Sequence, residues 1–369
     1  MPDPDNAALP LGWNNSGWGS NVRSFSYLNT GHSGTKSVKA TISSFSNGSA
    51  YWTTDSIPVT GGQLYDFSVY YQSSTLSEID LTFTMSDGSF VYQYAGEGSP
   101  SPNSWTKLRT QFTAPIGAVS VNIYHDIFSV GWVTIDDLSL TPFTYQGFSR
   151  PIISITDDDG YASFYNNGLP LLKKYGFAST DYIITGSLNN DPNYMTSAMV
   201  QALYASGQEI GSHTVTHPDL TTISPTAMDS ELQTSQSFLQ QLLGTPVANF
   251  ASPYGAYNNQ IVTDALQYYR SYRGTESGYN ARNNFDIGHL MVQNLVSTTT
   301  IAEVQSWINE AKSTNTWLIL VYHQINPDTS AGDYNTYPSD FDAQLSAIKA
   351  SGISVETVNQ ALNEIMPQL

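Results

Sequence analysis

The stretch Ile152-Ile153-Ser154-Ile155-Thr156-Asp157-Asp158-Asp159-Gly160 decides how the second half of this chain is read. Its apolar run has the length and β-branched content of a strand buried on both faces. It then stops abruptly on three carboxylates and a glycine. A second stretch, Gly211-Ser212-His213-Thr214-Val215-Thr216-His217-Pro218, sets two imidazoles four residues apart. Outward from these, apolar runs alternate with amphipathic segments from Pro151 to the end. Strands are predicted at 152–155, 178–184, 209–211, 248–251 and 317–322. Helices are predicted at 164–175, 197–206, 224–243, 258–268, 301–312, 339–350 and 355–365. Repeated strand–helix units imply parallel strands with helices outside. In such folds the chemistry gathers at the carboxyl ends of the strands. The Asp-rich turn, the histidine pair and His323 all fall there.

Residues 1–145 have a different rhythm. Short runs with period-2 alternation recur at 37–42, 64–71, 79–85 and 119–124, parted by turn pairs such as Asp87-Gly88 and Gly61-Gly62. No helical stretch interrupts them, and the run at 130–140 closes the unit. This is the pattern of a β-sandwich. The chain is therefore read as two domains: an all-β, jelly-roll-like sandwich at 1–145, then an α/β domain at 146–369. Its 369 residues exceed what one ordinary core organises.

Composition narrows the partners. Net charge is −18, with only 13 Lys and Arg and no basic run, which excludes a nucleic-acid binder. There is no cysteine, so no disulfide, thiolate nucleophile or Cys-ligated zinc. No apolar run of about 18 residues occurs to cross a membrane. The opening Met1-Pro2-Asp3-Pro4-Asp5 lacks signal-peptide character and reads as a mature chain with an added Met. The Asn/Ser/Thr/Tyr-rich composition points to a secreted or cell-surface protein, and a monomer is expected.

The two opening stretches offer a metal chemistry. Adjacent carboxylates at a strand end point in different directions once the chain turns. One can hold a cation while its neighbour addresses water, and Gly160 permits the tight turn. His213 and His217 can face one ion together. Two histidines and one carboxylate leave positions open for water and substrate. A metal there lowers the pKa of its water from ~15.7 toward ~7. His323, after a buried strand, is placed to give a proton to a leaving group. The bland alternatives are a solvated acidic turn and ordinary polar histidines.

These pieces, in this order, resemble the polysaccharide deacetylases of carbohydrate esterase family 4, the NodB-homology domain. That family shows Thr-Phe-Asp-Asp-Gly, His-Ser/Thr-x-x-His, Arg-Pro-Pro-Tyr-Gly and a later strand ending in His. Here stand Thr156-Asp157-Asp158-Asp159-Gly160, His213-Thr214-Val215-Thr216-His217, Phe250-Ala251-Ser252-Pro253-Tyr254-Gly255 and Leu320-Val321-Tyr322-His323. The resemblance implies a distorted (β/α)7-type barrel and removal of acetyl groups from a polysaccharide. It implies one divalent metal, usually Zn2+ with Co2+ or Ni2+ as substitutes, held by Asp159, His213 and His217. Asp158 becomes the general base, His323 the general acid, and the Tyr254 N–H an oxyanion donor beside Pro253.

Three residues depart from the family. Asp157 replaces an aromatic and adds a charge beside the base. Ala251 replaces the arginine that orients the base, as in a subset acting on poly-N-acetylglucosamine. Arg273 is the candidate to supply that charge, and a purely structural ion pair is the alternative. Val321 stands near the usual leucine of the acetyl pocket. The first domain is similar to carbohydrate-binding sandwiches. Trp13, Trp18, Trp52, Trp105 and Trp132 are stacking or core residues there, and Asp136-Asp137 could bind structural Ca2+. N-deacetylation of an N-acetylglucosamine polymer is the leading expectation. O-deacetylation of an acetylxylan-like glycan and a degenerate glycan-binding protein are the alternatives. No Gly-x-Ser-x-Gly elbow supports a serine esterase.

Overall fold

The computed structural model describes residues 10–328 and 332–369. The Met1–Asp5 opening lies outside the described residues. The chain divides into two compact units, Met1–Thr144 and Tyr145–Leu369.

The first unit is antiparallel throughout. Its strands are β1 (Trp13–Trp18), β2 (Asn21–Leu28), β3 (Ser37–Phe45), β4 (Ser49–Thr54), β5 (Ile57–Pro58), β6 (Leu64–Ser73), β7 (Ser77–Met85), β8 (Phe90–Gly98), β9 (Thr106–Thr113), β10 (Ala118–Ile127) and β11 (Gly131–Pro142). One sheet runs β1-β4-β10-β7-β8, with β5 also on β10; the other runs β2-β3-β11-β6-β9. Strand β6 shows why they form. Tyr65, Phe67, Val69 and Tyr71 are buried while Leu64, Asp66, Ser68 and Tyr70 are half-buried. Phe67 and Val69 share one apolar cluster with Trp52, Leu81 and Val121 of the other sheet. The last strand of the unit, β11, runs between β3 and β6. Trp52 is core, whereas Trp18 is largely exposed. Asp136 and Asp137 accept hydrogen bonds from His32 and Ser33.

In the second unit, seven parallel strands form a closed ring: β12 (Ile152–Asp157), β13 (Ser179–Ile183), β14 (Glu209–Ser212), β15 (Asn249–Ala251), β16 (Ser271–Ser277), β17 (Leu290–Asn294) and β18 (Trp317–Tyr322). Closure is direct. Ile152–Asp157 pairs in register with Trp317–Tyr322 on one side. On the other, Ile155–Asp157 pairs with Ser179–Asp181. After β19 (Gln324–Ile325) and β20 (Asn335–Thr336), a short β21 (Ser354–Val355) joins β12 at Ile152 and Ile153. The architecture is the (β/α)7-type barrel that the sequence predicts.

The helices are α1 (Leu169–Tyr175), α2 (Ser197–Ala205), α3 (Pro225–Leu243), α4 (Asn259–Tyr268), α5 (Ile301–Thr314), α6 (Pro338–Ser351) and α7 (Val358–Ile365). Alternate strand residues enter different cores, as period-2 geometry requires. Ile153, Ile155, Leu318 and Leu320 pack with Leu172, Ile308 and Leu345 of α1, α5 and α6. Ile152, Trp317, Ile319 and Val321 pack with Val358, Leu362 and Ile365 of α7. Ser224 caps α3 with Pro225 behind it, and Thr300 and Glu303 form the capping box of α5. These devices place every strand's carboxyl end on one rim.

Candidate metal centre

Asp159 lies two residues beyond β12, and His213 immediately follows β14. The Asp159 Oδ1 stands 3.4 Å from the Nε2 of His213 and 3.4 Å from that of His217. The two Nε2 atoms are 3.2 Å apart. Four ligands at ~2.0–2.1 Å on a tetrahedron stand ~3.3–3.4 Å from one another, so this triangle is the size one cation needs. Among the described residues these three are the group of at least three such side chains able to share an ion.

Their protonation fits as well. Burial works against the Asp159 carboxylate, but His213, His323 and His217 outweigh it and hold its pKa at about 2. Burial, then His213, pushes His217 down to about 4. An ionised carboxylate beside a neutral imidazole is the state that takes a metal. His213 Nδ1 lies 2.8 Å from the Ala251 carbonyl oxygen. Donation there fixes the tautomer and leaves Nε2 as the free lone pair.

The loops are held in unusual backbone. Asp159, Thr214, His217 and Tyr254 all have φ between 58° and 72°. Such non-glycine positions cost on the order of 1–3 kcal/mol each and persist where surroundings impose them. The surroundings are identifiable. Glu231 of α3 accepts from the Val215 N–H at 2.7 Å, the Thr216 N–H at 2.9 Å and the Thr216 hydroxyl at 2.7 Å. The His217 N–H donates to the Thr214 hydroxyl at 3.0 Å. Gly160 has φ 75°, and a Cβ there would meet Ile183 Cδ1 at 3.0 Å.

Asp158 precedes Asp159 in the same turn, and its field reaches His217. Its N–H donates to the Tyr322 carbonyl at 2.9 Å, tying the turn to β18. Its carboxylate is ion-paired with the Arg273 guanidinium, and both side chains are buried. Burial opposes the Arg273 charge, but Asp158 and the Tyr182 ring beside it overcome that and raise its pKa.

Asp157 sits deeper than its two acidic neighbours. It is fully buried, and neither carboxylate oxygen has a hydrogen-bond partner among the described residues. Burial, then the fields of Asp181, Asp158 and Asp159, raise its pKa well above the usual range. Burial and the neighbouring carboxylates thus disfavour its charged form.

The remaining candidates spread over the same rim. Burial lowers the pKa of His323, its ring lies 4.8 Å from that of Tyr334, and its Nδ1 has no partner among the described residues. Tyr254 sits in the Pro253–Gly255 turn with its ring 4.6 Å from His217. Pro253 is buried in that turn. Val321 is packed in the interior cluster with Leu290 and Ile319, and nothing ties it to the three ligand atoms. A cavity of about 390 Å³ lined by Tyr161, Asn193, Tyr194, Gln324 and Asn326 is flanked by the segments leaving Asp159 and His323.

Residues 146–271 match the family model described as polysaccharide deacetylase. This segment is a polysaccharide deacetylase domain. The chain is similar to a gellan lyase of Bacillus sp, 37 % identical over 123 residues, 33 % of this chain and 5 % of that protein. It is similar to a bifunctional xylanase/deacetylase of Pseudobutyrivibrio xylanivorans, 28 % identical over 31 % of this chain and 18 % of that protein. It is also similar to a chitooligosaccharide deacetylase of Rhizobium leguminosarum bv. trifolii, 24 % identical over 35 % of this chain and 58 % of that protein. The chain thus spans less than two thirds of the length of each of these relatives. The deacetylase domain contains the metal-ligand triangle and Asp158. Arg273 and His323 follow the matched segment in sequence. Sequence reasoning missed Glu231 and the tautomer-fixing Ala251 carbonyl. The only signal for either was position: an acid in the helix after the histidine pair, and a strand end beside it.

Proposed function

We propose that this chain is a metal-dependent hydrolase that removes acetyl groups from a polysaccharide, with N-acetylhexosamine polymers as substrate. The observation that carries the reading is the 3.2–3.4 Å triangle of Asp159, His213 and His217 with an Arg273-paired carboxylate at Asp158 beside it. A divalent cation held there, Zn2+ by the chemistry of its ligands, would polarise the acetyl carbonyl and acidify water.

The chain's own groups divide the remaining work. Asp158, oriented by Arg273, takes the proton from the attacking water. The Tyr254 N–H donates to the oxygen that gains charge as the carbonyl is attacked. His323 gives a proton to the departing amine nitrogen. Water and amide become acetate and a free amine. A polymeric substrate favours action outside the cell or at its surface.

Two of the three departures from the family pattern, Ala251 and Asp157, are compatible with activity. Arg273 carries the charge that Ala251 lacks, and burial disfavours the charged form of Asp157. That argues against a degenerate glycan-binding protein. Removal of O-acetyl groups is the second reading, favoured by the relative whose name joins xylanase and deacetylase. The test is acetate release from N-acetylglucosamine oligomers and from acetylxylan, with metal content by elemental analysis. The Asp158→Asn variant is expected to keep its metal and lose turnover. Full turnover in that variant refutes the assignment.

A further inference from the structure

The outer face of the sheet β1-β4-β10-β7-β8 carries a row of aromatics that the first unit's core does not use. Phe90, Tyr92 and Tyr94 alternate along the edge strand β8, so all three point to one side. They are 59 %, 76 % and 55 % exposed. Cross-strand partners extend the row inward. Tyr94 pairs with Asp80 of β7, and Asp80 pairs with Tyr124 of β10. Paired residues share a face, with strands ~4.8 Å apart and successive rows ~6.8 Å apart. The Tyr124 ring meets that of Tyr51 of β4 edge-on at 5.1 Å.

The charge on this face is of one sign. Glu78 pairs with Glu97 of β8, one row from Asp80. None of the strands β1, β4, β5, β7, β8 and β10 contains a lysine or arginine. Lys39, Lys107 and Arg109 lie on β3 and β9 of the other sheet. Burial, then Asp80 and Glu97, raise the pKa of Glu78. Burial also raises that of Asp80. Crowded carboxylates of this kind are relieved by a cation.

We propose that this face binds a polysaccharide bearing free amino groups, the aromatic rings stacking on sugar faces and the carboxylates pairing with ammonium groups. Exposed rings alone would suit any glycan; the uniform negative charge selects a cationic one. The inference rests on the N-deacetylation reading only for the source of this ligand, since that reaction makes an amine-bearing chain. The face would then hold the protein on polymer that it has already processed.

The experiment is calorimetric titration of the full chain with glucosamine hexamer and with N-acetylglucosamine hexamer, in the Asp158→Asn background to prevent turnover. The glucosamine hexamer is expected to bind at least about tenfold tighter, and to weaken about tenfold as salt is raised to ~0.5 M. Tyr92→Ala and Asp80→Asn are each expected to weaken it about tenfold, while acetate release from small soluble substrates in the parent background stays unchanged. Tyr92 is exposed and Asp80→Asn is nearly isosteric, so folding should survive both. Equal binding of the two hexamers, or binding that neither variant changes, overturns the proposal. An inactive enzyme that still binds the glucosamine hexamer through Tyr92 and Asp80 would sink the proposed function and leave this site standing.

Discussion

Arg273, on β16, pairs its guanidinium with the carboxylate of Asp158, at the end of β12, and both side chains are shut away from solvent. The two lie 115 residues apart in the chain. Ala251, on the adjacent strand β15, is directly opposite Arg273 in the parallel register. The cation has thus moved one strand along the barrel from the place the family pattern predicts, and it reaches the same carboxylate. Removing one partner of a buried pair leaves an uncompensated charge, a loss of about 3–5 kcal/mol. Arg273→Ala should therefore lower the unfolding free energy by about that amount. It should also cut kcat by about 10²-fold, the lower end of what a disturbed general base costs. Arg273→Lys restores charge without the planar fork and should recover stability better than kcat. Denaturant titrations beside acetate-release rates measure both; unchanged kcat in Arg273→Ala would make the pair merely structural.

The metal triangle is built on loops fixed by the protein's own bonds. The Ala251 carbonyl holds His213, and Glu231 holds residues 215 and 216. Chelation should therefore abolish acetate release while the far-ultraviolet circular dichroism stays unchanged. Added Zn2+ should restore the rate, with Co2+ or Ni2+ as substitutes. His213→Ala should neither retain metal nor respond to it. Loss of secondary structure on chelation would mean that the cation organises the loops instead.

Glu231 separates support from ligation. It touches none of the three ligand atoms' partners directly, but its carboxylate takes three hydrogen bonds from the loop that carries His217. Groups of this kind typically contribute 10–100-fold to metal affinity. Glu231→Ala should weaken metal binding by about that factor, with activity recovering at high metal concentration. Failure to recover under saturating metal would assign Glu231 a role beyond holding the loop.

The same residues explain what sequence alone could reveal. The strands β12 and β18 are apolar runs that lead into Asp157 and His323, so their placement followed from pattern. Strands β16 and β17 did not. Ser271–Ser277 is polar because it carries Arg273 into the site, and no helix separates it from Leu290–Asn294. The strand–helix rhythm breaks there, and a reader relying on it counts too few strands. Likewise Val355 reads as the start of a helix, yet with Ser354 it pairs with β12, and the helix begins only at Val358. The full burial of Asp157 was not legible, because sequence shows a carboxyl group but not its surroundings. The histidine pair and Asp159 were legible because ligands need fixed residue types; Glu231 was not, because support for a loop can come from any nearby acceptor.

A last prediction concerns the first unit and needs no substrate. Asp126 is buried between β7 and β4, and burial, with the fields of Asp80 and Glu78, pushes its pKa from 3.8 up to about 8. Below pH 3.8 both folded and unfolded chains hold this proton, and the site costs no stability. Between 3.8 and about 8 the unfolded chain has released the proton while the folded one keeps it. Stability is therefore lost progressively as pH rises through that window, and changes no further above it. Asp126→Asn keeps the shape and removes the titration. In urea titrations of the full chain, the midpoint of the variant should exceed that of the parent by more at pH 8 than at pH 5. Comparing variant with parent at each pH cancels the other titrating groups, including buried His125, whose pKa is lowered to about 3 by burial. A gap that stays constant between the two pH values would mean that Asp126 is ionised in the folded state and finds a cation or water that compensates it.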